Sequence, residues 1–121
     1  MREQPDAGAL LAIVRQVLQQ ELLPALPKEQ TYKALMMLNA LGIAERQWQA
    51  GTAPQQAECL HLRQLLALPD AELPTLTRVL AQQVRAGAAD HHQELQDFLW
   101  QSTVQRVRES APKALLSPDL V

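Results

Sequence analysis

The chain predicts an all-α fold, a single-domain bundle of about five helices with short connections. Three observations lead there. Apolar residues recur at helical spacing between successive prolines and glycines. Aromatic residues make up only 3% of the chain, so Leu, Ala, Val, Ile and Met must build the core, and most of these favour helices over strands. No segment alternates apolar and polar residues as a half-buried strand does. With 121 residues, 47% of them hydrophobic and 20% charged, the chain is long enough for one core and too short for two ordinary domains. The expected domain covers residues 5–112, with 113–121 as a C-terminal tail.

The first helix is expected from Pro5-Asp6 to about Leu23. Leu10, Ile13, Val14, Val17 and Leu18 form one stripe at i, i+3, i+4, i+7 and i+8, the pattern of a face turned to a core. Pro24 and Pro27 lack backbone N–H groups and break it. A second helix is expected over Lys28 to Ala50, with Gly51 just past its end. Gly42 inside it costs about 1 kcal/mol relative to Ala, which a close helix–helix approach would explain. A third helix runs from about Pro54 to Leu68, with Leu62, Leu65 and Leu66 inward, and Pro69-Asp70 closes it. The fourth spans about Asp70 to Ala86, carries Leu73, Leu76, Leu80 and Val84 as its stripe, and ends at Gly87. The fifth starts at Asp90, which has capping-box-like spacing to Gln93, and stops at Pro112.

Net charge is −2 and the isoelectric point is near 5.9, so no general basic face is available to displace counterions from nucleic acid. Aromatic platforms for stacking single-stranded bases are scarce. The one cysteine, Cys59, cannot form an internal disulfide or a Cys-type zinc site. The opening Met1-Arg-Glu-Gln-Pro-Asp6 lacks the pattern of a signal peptide, and no apolar run reaches a membrane span. A soluble cytoplasmic protein is therefore expected, with neither nucleic acid nor membrane as partner.

Candidate chemistry is sparse. His91 and His92 project about 100° apart on a helix and cannot both ligate one metal. His91 with Glu94 offers two ligands and lacks a third. Cys59 and His61 sit at i and i+2, which point away from each other, so a nucleophile–base pair is not expected. The glycines lie singly at Gly8, Gly42, Gly51 and Gly87 and form no phosphate loop. Arg106, Arg108 and Lys113 cluster where cations complement the negative end of a helix dipole. The expectation is no catalytic residue, no metal and no cofactor.

The second helix is the exception. It is apolar almost all round from Ala34 to Ala44, yet carries the amide of Asn39 at its centre. Tyr32, Asn39 and Arg46 recur every seven residues and share one face. Asn39 is expected to be a buried amide pinning a neighbouring helix, so that Asn39→Leu destabilises by about 1–3 kcal/mol. The sharper alternative makes Tyr32, Asn39 and Arg46 a polar strip that meets a ligand or partner, with Trp48 and the Met36-Met37 pair nearby.

The run Leu10-Leu-Ala-Ile-Val-Arg-Gln-Val-Leu-Gln-Gln-Glu-Leu-Leu-Pro-Ala-Leu26 resembles the first helix of a small uncharacterised all-helical bacterial family. Tyr32…Asn39-Ala-Leu41…Glu45-Arg46 is similar to its second helix, and Leu80-x-x-x-Val84-Arg85-Ala-Gly87 to its fourth. Ser110-Ala-Pro112-Lys113 stands where members often read Asn-Pro-Arg/Lys. The resemblance covers roughly Pro5 to Leu115, on Leu/Ala patterns of moderate specificity. The chain departs from it at Leu73-Pro-Thr-Leu-Thr77, where members have Leu-x-x-Leu-Asn, and at Ala111 in place of Asn. Such proteins occur beside, or fused to, aminoglycoside-phosphotransferase-like kinases, with acyl-CoA dehydrogenases nearby. The resemblance implies a non-catalytic accessory or interaction module serving such an enzyme. The alternative is a bundle that binds an acyl or CoA-type small molecule. A homodimer is compatible with either.

Overall fold

A computed structural model describes residues 4–116. It contains five α-helices: α1 (Ala7–Val17), α2 (Lys28–Ala50), α3 (Ala53–Leu65), α4 (Leu73–Arg85) and α5 (Gln93–Ser110). No strand occurs among the described residues. The fold is all-α, as the periodicity predicts. Residues 117–121 of the expected tail lie outside the described residues, and Pro112–Leu116 forms a 3-10 turn. The packing gathers into two compact units. One holds α1, α2 and Glu109–Ala111, and the other holds α3, α4, most of α5 and Pro112–Leu116.

In the first unit, the Asp6 carboxylate caps α1 by accepting from the Ala9 N–H at 2.9 Å. The helix does not run regularly to Leu23. It becomes a π-helical turn over Leu18–Leu22 and then a 3-10 turn over Leu23–Ala25. Pro24 explains the change: its ring crowds the carbonyl four residues back and it has no N–H to return. The backbone widens just before it, and the Leu23 N–H reaches back to the Leu18 carbonyl.

Helix α2 has the expected bounds, and Gly51, at φ 64°, ends it by donating to the Gln47 and Trp48 carbonyls. It packs on α1 as an antiparallel hairpin. The seam repeats at intervals of three and four residues, with Leu11 and Arg15 on α1, Leu18 at the start of the π turn, and Ala34, Leu38, Leu41 and Glu45 on α2 all buried or half-buried. Arg15 donates to the Glu45 carboxylate across it at 2.5 Å. Gly8 lies so close to Trp48 that an added Cβ would come within 2.5 Å of the indole Cδ1. The tight approach expected at Gly42 thus occurs at Gly8. Gly42 makes room for its own helix's Arg46, whose Nη1 lies 3.2 Å from where a Cβ would stand.

The α1 stripe is present, but it does not face a core. Leu10, Ile13, Val14 and Val17 are all exposed, and of the five predicted residues only Leu18 is buried.

The second unit has a closed core of Leu62, Leu76, Leu80, Ala89, Leu95 and Phe98. Leu76, on the expected face of α4, is fully buried, and Cys59, Leu65, Leu66 and Leu73 pack around the core. Helix α3 stops at Leu65 rather than Leu68, because Ala67 turns left-handed at φ 54°. The Ala67 and Leu68 N–H groups then reach back to the Gln64 and Arg63 carbonyls. Helix α5 starts at Gln93 rather than Asp90, with a 3-10 turn over Ala88–His91 ahead of it. The cap is His92, whose Nδ1 accepts from the Leu95 N–H at 3.1 Å, so Asp90 heads no capping box.

Candidate functional site

Helix α2 holds Tyr32, Asn39 and Arg46 on one face, about 10 Å apart along the axis at each step. That face is turned away from the α1 seam: a seven-residue step returns to nearly the same direction, and the seam lies near Ala34, Leu38 and Leu41. Tyr32 is 72% exposed, and Asn39 and the adjacent Leu35 are exposed as well. The expectation of a buried Asn39 is therefore corrected. An apolar run of this length reads as all-round burial, but among its residues only Ala34 is buried. Asn39 keeps its amide hydrated, which removes the cost that a core position would carry.

Arg46 behaves differently from the other two. It is half-buried, and its Nε donates to the Glu109 carbonyl at 2.6 Å. A charge-assisted bond to a main-chain carbonyl is a fastening of the fold. The structure thus leaves Tyr32, Leu35 and Asn39 as an outward strip and ties Arg46 to the Glu109 carbonyl.

A cleft of about 330 Å³ lies nearer the hairpin turn, lined by Leu18, Leu22, Leu26, Gln30, Lys33 and Met37 among others. Its wall is aliphatic, with one ammonium and one amide. Met37 lines it as part of the expected methionine pair, whereas Tyr32, Asn39 and Arg46 do not.

In the second unit, α3 and α5 line a smaller open cleft of about 170 Å³. Glu58, His61, Gln101, Ser102 and Gln105 contribute polar groups to it, and Phe98 an apolar wall. The His61 ring stands edge-on to Phe98 with centroids 5.3 Å apart. Considering His61 only with Cys59 missed this grouping. Its signal is the i, i+3 spacing of Glu58 and His61 opposite Gln101, Ser102 and Gln105. Cys59 packs against the core instead. The volume lies below the range of ordinary ligand pockets and suits a few waters.

His91, His92 and Glu94 are exposed at the start of α5. No three His, Cys, Asp or Glu side chains converge in metal-binding geometry among the described residues. No helix among them is long and apolar enough to cross a membrane.

A family model described as a domain of unknown function, DUF6285, matches residues 24–114, from the 3-10 turn at Leu23–Ala25 into the turn that follows α5. No curated protein and no solved structure matches the chain.

Proposed function

The chain belongs to the DUF6285 family, and we propose that it is a non-catalytic helical interaction module, accessory to a phosphotransferase-like or acyl-CoA-metabolising enzyme. The observation that carries this reading is the outward strip of α2. Tyr32, Leu35 and Asn39 stand exposed on a helix held at its seam by α1. The Tyr32 ring offers apolar area with a polar handle at low entropic cost, and tyrosine is among the residues enriched at protein-binding hot spots. The partner class rests on the resemblance to proteins found beside or fused to aminoglycoside-phosphotransferase-like kinases, near acyl-CoA dehydrogenases. A cytoplasmic setting fits the single thiol, Cys59.

Affinity capture with the tagged chain from its native host at mild salt tests the proposal. Recovery of a phosphotransferase-like kinase or an acyl-CoA dehydrogenase, lost on Tyr32→Ala, is the expected result. Recovery of neither class, or capture indifferent to Tyr32→Ala, overturns it.

The aliphatic cleft favours a second reading, in which the hairpin binds an acyl chain. Its volume falls within the range of ligand pockets, and Lys33 supplies a cation for a carboxylate headgroup. A ligand at about 100 times its Kd adds roughly 2.7 kcal/mol of stability. Thermal shift against fatty acids and acyl-CoAs of graded length therefore reads it directly. A flat response across the panel excludes this reading and leaves the first intact.

A further inference from the structure

An exposed apolar surface lies in the hairpin, on a flank distinct from the Tyr32–Asn39 strip. On α1 it comprises Leu10, Ile13, Val14 and Val17, each between two-fifths and just over half exposed. Counting 100° per residue from the seam, Lys33, Met37, Ala40 and Ala44 form one flank of α2. The cleft opens on that flank, since Lys33 and Met37 line it together with Leu18 and Leu22. The antiparallel sense of two right-handed helices turns the α1 stripe toward the same side. The result is one continuous apolar face, large side chains along α1 and small ones along much of α2.

We infer that this face is a homodimer interface, on which the hairpins of two copies form a four-helix bundle. Three features of the face select a second copy as its occupant. The first is area. Leu10, Ile13, Val14, Val17, Leu22 and Met37 are each roughly half exposed and form the centre of a face that a standard stable interface of ~800 Å² per partner would cover. Contiguous exposed apolar patches of this kind often mark an interaction site.

The second is shape. The flank is bulky on α1 and carries Ala40 and Ala44 on α2. A two-fold axis parallel to the helices seats α1 of one copy over α2 of the other, bulky side chains on the alanine surface, twice over. The alternative axis, across the helices, stacks α1 on α1 and leaves the alanines facing each other. A closed two-fold dimer requires such self-complementarity, and four-helix bundles supply its packing.

The third is charge. The apolar stripe has no charged residue between Leu10 and Val17 on its exposed side. At its turn end stand Glu21 on the α1 side and Lys33 on α2, both exposed and of opposite sign. The same axis brings Glu21 of each copy toward Lys33 of the other. Shape and charge therefore specify one arrangement, with the two hairpin turns at the same end.

Sedimentation equilibrium of the full chain tests this without any other partner. The expected result is a dimer mass in the micromolar range. Val14→Glu, at a surface position of the monomer, weakens association by about 100-fold. Glu21→Lys weakens it by about tenfold, and adding Lys33→Glu restores it. Unchanged helical circular dichroism shows that each variant folds, and the charge exchange carries the test should Val14→Glu unfold. A wild-type monomer at these concentrations overturns the inference and assigns the face to a different partner. A dimer that survives Val14→Glu, or a double charge exchange no tighter than Glu21→Lys alone, overturns it too.

Discussion

Asn39 stands in the middle of an apolar run and yet meets solvent. The cost of an orphaned buried amide is therefore absent, and Asn39→Leu is expected to change stability by no more than about 0.5 kcal/mol, as surface substitutions do. Urea unfolding checks this, and a loss of 1–3 kcal/mol would return the amide to a core. Ala67 presents the opposite case, a residue whose surroundings look bland and whose backbone is not. Its left-handed conformation at φ 54° costs an L-residue roughly 1–2 kcal/mol, which glycine avoids. Glycine also loses more entropy on folding, so the expected net gain of Ala67→Gly is about 0.5–1 kcal/mol. A raised urea midpoint at unchanged m-value is the measurement that shows it.

At the scale of elements, the hairpin is held at three levels. Gly8 meets Trp48 at its open end, Arg15 pairs with Glu45 further along the seam, and Leu18 lines the cleft nearest the turn. A side chain at position 8 cannot coexist with the indole where it stands. Gly8→Ala gains helix propensity of up to about 1 kcal/mol and forces Trp48 outward, an overpacking cost of about 1–3 kcal/mol. The expected net is a loss near 1 kcal/mol with red-shifted tryptophan emission, read in a Trp100→Phe background. Emission identical to that of the parent would show that the open end closes some other way.

Over the whole molecule, the two units differ in what holds them. The second has six buried apolar residues in one cluster, whereas the buried residues of the first are Leu18 and Ala34 among those described. Leu76 is fully buried, so Leu76→Ala is expected to cost about 2–5 kcal/mol, from lost transfer energy and the cavity left behind. Amide hydrogen exchange should rank the units in the same order, slowest in α4 and the start of α5 and faster in α1. Slower exchange in α1 than in α4 in dilute protein would contradict that ranking.

Helix positions and the ends of α2 and α4 were legible in the chain because they depend on neighbours a turn away. Pro24 and Pro27, Gly51 and Gly87 act within a few residues of themselves, and the bounds of α2 follow from them. The stripes of α4 were legible too, since Leu76 and Leu80 do face a core. The left-handed Ala67 and the His92 cap were not, because each replaces the residue type that ordinarily marks such a site. The heptad spacing of Tyr32, Asn39 and Arg46 was readable as a common face, but their different fates were not. Periodicity says which residues share a side of a helix, and only packing against other segments decides what covers that side. Tertiary structure gave Arg46 a carbonyl 63 residues away, left Asn39 in water, and turned the predicted core stripe of α1 outward as a surface of its own.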